Sequence, residues 1–407
     1  MSDQKYAAHP LLHRQALQTI VSPVTNPRVG ADRGNVLAFA TTPASDPMSR
    51  APISPLSPQG LARLALIGAI VAAAAGAFVF TAGWLSPHRL SPARMVDALA
   101  QRGGDPRGHR RNHAKGVCFT GVFEADGGAA PLSVAPMLAA GRYPVIGRFA
   151  IAVGDPRAAD ITGRVKSMAL LIRAPDGEEW RTGMNAMPVF PVSTPRDFYA
   201  LTRAQDLDPH TGKPDPAAMA HYAAAHPELK AFADWAKTAP WTASFADQTY
   251  NSLNAFRFVA RDGQTHLVRW SMRAQTPLAP VSKDQLATLG PDYLAADLRQ
   301  RLAQGPLRWT LMVTVAQPGD PSADATKAWP ADRPQIAAGT LEVDQAQDEA
   351  NGPCRDLNYD PTILPKGIAV SDDPLLAARS AAYARSFDLR TAEASAYPHA
   401  GLQGAHP

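Results

Sequence analysis

Cysteine is nearly absent: 407 residues contain two, Cys118 and Cys354. No CxxC pair and no Cys/His cluster occurs, which argues against a structural zinc site. If the domain is exported, the two thiols could pair. Their spacing alone does not bring the sulfurs together, so the plainer expectation is two buried free thiols. Charge is sparse as well, at 19% of residues with a net of +4. That is too little to imply a nucleic-acid partner, and the basic residues form no run that would grip phosphates. What the chain does have is 45% hydrophobic residues, enough for a sizeable core, and 38 prolines, which predict much irregular structure between short elements. Length alone allows two or three domains.

Residues 1–60 carry eight of those prolines and little apolar periodicity, and read as a disordered segment. Leu64 to Leu85 contains no charge. As a helix rising 1.5 Å per residue it would span roughly 33 Å, enough for a bilayer. Arg63 precedes it and Trp84 lies near its far end. We therefore expect one transmembrane helix or uncleaved signal anchor over 61–86. A cleavable signal peptide is the competitor, with Thr81-Ala82-Gly83 near the cut. A 63-residue leader is long for one, and translation starting at Met48 would shorten it. The basic flanks are nearly balanced, and the favoured orientation leaves the following domain in the periplasm or otherwise outside the cytoplasm. The main folded domain is expected over 90–395, with a flexible tail over 396–407.

Residues 91–101 predict a short amphipathic helix, capped by Ser91 with Pro92 in its first turn. Strands are expected over Val117–Glu124, Val145–Val153, Ser167–Arg173 and Leu307–Val315. Asn254–Ala260 and His266–Met272 flank Arg261-Asp262-Gly263, a hairpin signal. Residues 215–238 are Ala-rich and read as helix. From 372, two acids open a further helix with apolar residues at helical spacing. The fold class is α+β: a strand-rich middle with helices at both ends.

Three polar residues stand beside apolar neighbours. His113 precedes the first strand. Asn185 lies in Asn185-Ala186-Met187-Pro188-Val189-Phe190. Tyr383 follows Arg379 by four residues, which puts both on one helix face. A guanidinium there stabilises a phenolate, and a phenolate is one way to hold haem iron. Taken singly, each has a plainer reading: a structural histidine, a turn asparagine before proline, a surface Arg/Tyr pair.

Together these segments resemble the haem catalase family. Arg110-Arg111-Asn112-His113-Ala114-Lys115-Gly116 is similar to its distal R-x-x-H-A-K-G element. Val145-Ile146-Gly147-Arg148-Phe149 is similar to the next strand. Asn185 stands in N-x-x-P-V-F, and Arg379-Ser380-Ala381-Ala382-Tyr383 in the proximal R-x-x-x-Y element, with Arg390 seven residues beyond. The matches run in the family's order over roughly residues 105–395. Departures are visible too. The serine after the family's Arg-Phe is Ala150 here, and neither the long N-terminal arm nor a flavodoxin-like domain is recognisable. The pattern looks most like the small catalase-related peroxidases that are membrane-anchored or exported.

The resemblance implies a catalase-like antiparallel β-barrel with surrounding helices, preceded by the transmembrane helix. It implies haem b as cofactor and Tyr383 as ligand to the iron. Arg379 would keep Tyr383 ionised, while Arg110, Arg148 and Arg390 would contact the propionates, with Arg111 as an alternative to Arg110. His113 would shuttle the peroxide proton and Asn185 would orient the peroxide. The expected partners are peroxide, an unidentified organic electron donor and, through residues 64–85, a membrane. The expected activity is a peroxidase with weak catalase turnover. Two alternatives remain: isomerisation of a fatty-acid hydroperoxide to an allene oxide, and a membrane-tethered haem-binding or redox-sensing module without turnover.

Overall fold

Apolar side chains recur at every second position along much of the longer strands, and that alternation gives each of them one face to bury. The strands are β1 (Gly116–Ala125), β2 (Gly141–Ile151), β3 (Lys166–Arg173), β4 (Glu179–Asn185), β5 (Tyr250–Asn251), β6 (Thr265–Ala274), β7 (Leu307–Val315) and β8 (Gln335–Asp348). Each pairs antiparallel with the next, and β8 returns to β1. The sheet therefore closes on itself as an eight-stranded barrel, leaving no free edge in the ring. A short strand, Phe256–Val259, forms the expected hairpin with β6 and pairs on its other side with Ile368–Val370. These are features of a computed structural model that describes residues 57–81, 89–208 and 210–399.

Inside the barrel the inward positions meet as one aromatic cluster. Phe149 of β2 stacks on Phe245 at 5.0 Å and lies 4.5 Å from Phe119 of β1 and 5.5 Å from Trp309 of β7. Gly147 makes the closest approach possible, since a Cβ there would lie 2.0 Å from the Phe119 ring. Truncating so buried a ring costs about 3–5 kcal/mol.

Eight α-helices occur among the described residues: α1 (Pro58–Thr81), α2 (Pro92–Arg102), α3 (Pro195–Ala204), α4 (Pro216–Ala225), α5 (Leu229–Thr238), α6 (Lys283–Ala287), α7 (Tyr293–Leu302) and α8 (Pro374–Ala392). The Ala-rich stretch 215–238 is thus two helices rather than one. Pro227 has no N–H to continue the ladder and disfavours helix at His226 before it. Ser91 caps α2 as expected, accepting from the Arg94 amide at 3.2 Å.

Helix α1 belongs, as far as Phe78, to the first of two compact units. Its 24 residues are long and apolar enough to cross a membrane, and none is buried. It begins at Pro58, before the uncharged run, because Ser57 accepts the Gly60 amide at 3.2 Å and proline suits the first turn. The disorder expected for residues 1–56, the end of the apolar run at 82–85 and the tail over 400–407 lie outside the described residues.

The expectation of free thiols is overturned. Cys118 of β1 and Cys354 form a disulfide across 236 residues of sequence. Strand alternation turns Cys118 away from the aromatic interior, where the loop after β8 meets it in a small cluster with Leu171 and Tyr359. Closure of that loop, which spacing does not reveal, joins the sulfurs.

Candidate functional site

The barrel's outer face carries the site. On β2, Phe149 points into the core, so Arg148 and Ala150 point out. Direct register partners continue this face across the sheet: Arg148 opposite Ala169, and Ala169 opposite Gly183. One step along, Ala150 faces Ser167 and Ser167 faces Asn185. Two of these six are alanine, one is glycine and one is serine, so the floor is shallow. Above it opens a cavity of about 450 Å³.

His113 enters this cavity from the segment before β1. Its φ is +53°, in the left-handed region where a side-chain-bearing residue is uncommon. The Asn112 side chain accepts from its amide at 3.1 Å and holds the turn. Nδ1 of His113 lies 3.1 Å from Oγ of Ser167, and Ser167 donates to Oδ1 of Asn185 at 2.6 Å. Asn251 in turn donates to the Met187 carbonyl at 3.1 Å, tying down the segment after Asn185. Burial pushes the His113 ring down to about 3, and Arg148, Arg379, Arg102 and Arg110 push the same way. Its partial exposure faces the cavity. The imidazole is therefore neutral over the ordinary pH range.

The opposite wall is α8. Asp373 caps it, accepting from the Leu375 amide at 2.9 Å and from Nδ2 of Asn254 at 2.7 Å. Asn254 Oδ1 accepts from Arg379. Nη2 of Arg379 then donates to the Gly183 carbonyl at 3.2 Å and to the Tyr383 hydroxyl at 3.3 Å. The expected Arg379–Tyr383 face is thus present and is fixed at both ends. A Cβ on Gly183 would approach Arg379 at 3.2 Å and the Tyr383 oxygen at 3.8 Å, so glycine keeps the floor open beneath the phenol.

The third side is cationic. Arg110, Arg148 and Arg390 line the cavity. Glu349, in the loop after β8, accepts from both Arg110 and Arg148. Arg110 and Arg390 also donate to the carbonyls of Arg355 and Leu357. Burial would raise the Glu349 carboxyl, but Arg148 and Arg110 outweigh it and hold it below its ordinary value. Burial lowers Arg390 to about 9. Glu349 balances one charge of three, and no aspartate or glutamate lines the cavity among the described residues. Two buried cations are left for a ligand with two carboxylates. Arg111 is the structural member of the motif: it is buried and bonds Glu393 at 2.6 Å and the Pro106 carbonyl at 2.8 Å. Lys115 is structural too, paired with Asp160 at 2.9 Å and Asp292 at 2.7 Å.

A flat open floor, an imidazole and a phenol on different walls, and two unbalanced guanidiniums fit a haem with its two propionates. All seven residues singled out from sequence line this one cavity. Ser167 and Glu349 were not foreseen. Register opposite Ala150 and Asn185 is the one signal that could have found Ser167; Glu349 depends on loop closure and left none.

Fold and site together define a haem protein built on a closed antiparallel barrel. The catalase family model matches residues 76–395. A catalase-related peroxidase of Synechococcus elongatus is 34% identical over 302 residues, covering 74% of this chain and 89% of the relative. One from Mycolicibacterium paratuberculosis is 31% identical over 303 residues, covering 74% and 95%. Catalase A from Saccharomyces cerevisiae superposes with a TM-score of 0.64 at 19% identity, covering 72% of this chain and 64% of that enzyme, so this chain spans under two thirds of its length. The chain belongs to the catalase family.

Proposed function

We propose that this chain is a haem-dependent peroxidase, reducing hydrogen peroxide or an organic hydroperoxide at the expense of an organic donor, with weak catalase turnover. The observation that carries it is the meeting, in one cavity, of a neutral imidazole, a tethered carboxamide and an arginine-backed phenol from three distant segments.

Tyr383 would hold the haem iron through its phenolic oxygen, with Arg379 stabilising the negative charge there. Arg110, Arg148 and Arg390 would hold the propionates by charge-assisted hydrogen bonds. When bound, the haem supplies the electrons that break the O–O bond. His113 takes the proton from one peroxide oxygen and returns it to the other, so the departing oxygen leaves as water. Neutrality of the ring lets it accept that proton. Asn185 aligns the peroxide, and the apolar wall contributed by Val96, Leu99, Phe198 and Leu201 excludes water and suits an organic molecule.

Replacing His113 with alanine tests the reading. We expect peroxide turnover to fall by about 100-fold or more while haem content stays the same. Unchanged turnover would refute it. We further propose that α1 anchors the chain in a membrane with the barrel outside the cytoplasm. The Cys118–Cys354 disulfide supports an oxidising compartment. Recovery of the full-length native protein in the soluble fraction would count against the anchor.

A further inference from the structure

A phenol stands just behind the arginines that would hold the propionates. Tyr397 follows α8 and packs on the segment before β1. Its ring stacks on His109 with centroids 3.9 Å apart, and the Arg355 guanidinium lies 4.7 Å from the same ring. Arg355 also donates to the Tyr397 carbonyl. Gly108 lets the two segments close, since a Cβ there would stand 2.7 Å from the Tyr397 Cβ. Both neighbours of the ring lead into the site. His109 directly precedes Arg110, and the Arg355 carbonyl accepts from Arg110 and Arg390. Tyr397 itself does not line the cavity, and it is partly exposed.

The size of the cavity gives this phenol a task. About 450 Å³ is the room of a single ligand. Haem takes most of it and a hydroperoxide the rest, so electrons from a larger donor must enter from outside. Among the described residues, three tyrosines line the cavity or pack on its cationic side. Tyr383 would be committed to the iron. Tyr359 lines the cavity but is buried, its hydroxyl lies 3.4 Å from the Ile146 carbonyl, and burial raises its pKa. Phenols are protonated near neutral pH, so one gives up an electron readily only where its proton can also leave. A carbonyl oxygen is no base for that proton. At Tyr397 water is at hand to take it. Loss of both leaves a neutral radical, which the Arg355 guanidinium does not oppose. Burial lowers the His109 pKa, so the ring stacked on Tyr397 is uncharged near neutral pH.

We propose that Tyr397 is a redox-active residue at which phenols and hydroquinones too large for the cavity are oxidised. Reduction of one peroxide to water withdraws two electrons from the haem site. Tyr397 passes one electron inward, by way of the His109 ring and Arg110, and releases its hydroxyl proton to water. The Tyr397 radical then takes an electron and a proton from the donor, whose O–H bond breaks and which leaves as its own radical. Two such turns restore the resting protein. The two protons released are those that water formation consumes.

Tyr397 has this role only if the peroxidase reading holds, and the test keeps the two apart. Haem-loaded wild type and Tyr397→Phe are mixed with one equivalent of hydrogen peroxide, without donor, and frozen for electron paramagnetic resonance. Wild type grown on ring-deuterated tyrosine is treated alike. Phenylalanine keeps the stack on His109 and the Arg355 contact but cannot be oxidised in this way. We expect a radical signal in wild type that narrows on deuteration and is missing from Tyr397→Phe. Oxidation of a hydroquinone coupled to a soluble polymer, too large to enter the cavity, should fall about 10-fold or more in Tyr397→Phe. Haem content and the rate of reaction with peroxide should stay level. A wild type without a protein radical, or a signal that survives in Tyr397→Phe, overturns the proposal. So does polymer oxidation indifferent to the change. Loss of haem or of peroxide reactivity in Tyr397→Phe would mean a packing role and overturn it too. A wild type whose haem spectrum does not respond to peroxide would instead refute the peroxidase reading itself.

Discussion

Glu349 accepts two hydrogen bonds from the Arg148 guanidinium, one from Nε at 2.8 Å and one from Nη2 at 2.6 Å. Arg110 reaches the same carboxylate. The loop that carries Glu349 also carries Cys354, whose disulfide pins it to β1, and its carbonyls receive Arg110 and Arg390. A short segment thus organises all three guanidiniums of the cavity's cationic side.

Removing that carboxylate should hurt the empty protein most. Glu349→Gln leaves buried cations without their one counter-charge, a loss of about 3 kcal/mol or more. Bound haem carboxylates would make up part of it. Urea denaturation of the haem-free and haem-loaded variant should therefore show the larger deficit in the haem-free form. Equal deficits would mean that the guanidiniums do not meet the haem.

Haem retention should depend on α8. Tyr383→Phe is expected to purify with little haem. Arg379→Met, which removes the partner of the phenol and of Asn254, should weaken retention by about 10- to 100-fold. Haem per chain and its transfer to a haem-scavenging globin provide the measurement. Full retention in Tyr383→Phe would rule out the phenol as ligand.

The pH dependence follows from His113. An unperturbed imidazole titrates near 6.5, whereas burial puts this one at about 3. A ring so depressed stays neutral in the folded protein down to about 3. Between 6.5 and 3 the unfolded chain binds a proton that the folded chain does not, so stability declines as pH falls through that window. The peroxide association rate should nevertheless stay level from neutrality to about pH 5, because the base is still neutral. An acid limb centred near 6.5 would contradict the burial argument.

The disulfide should be a stabiliser, since it closes a very long loop in the unfolded chain. Replacing Cys118 and Cys354 by serine is expected to cost about 2–5 kcal/mol. Denaturation of wild type with and without reductant should reproduce the difference. A midpoint indifferent to both would mean that the loop is held by its arginine contacts alone.

Much of this was legible in the sequence, for particular reasons. Leu307–Val315 was read to its exact bounds because it alternates cleanly between turns. His113, Asn185, Arg379 and Tyr383 stood out because the proposed chemistry calls for those residue types in local motifs, and all four line the cavity. By contrast β8 was not assigned: its second half, Asp344-Gln345-Ala346-Gln347-Asp348, breaks the apolar alternation, and pairing with β1 holds it extended. Helix α3 also went unread. Ser167 and Glu349 act through partners that only strand register and loop closure bring near. The cysteine pairing was missed for the same reason.

Ala150, Ser167, Asn185 and Asn251 stand abreast on four adjoining strands. Side chains alternate along a strand, so a slip of one residue in β3 would bury the hydroxyl in the aromatic interior and present Lys166 or Met168 outside. No intermediate arrangement retains part of the floor. The reactive wall is a by-product of the weave, complete in a correctly threaded molecule and missing in any other. Specific activity in a preparation should accordingly count properly woven barrels, with no population of half-working ones.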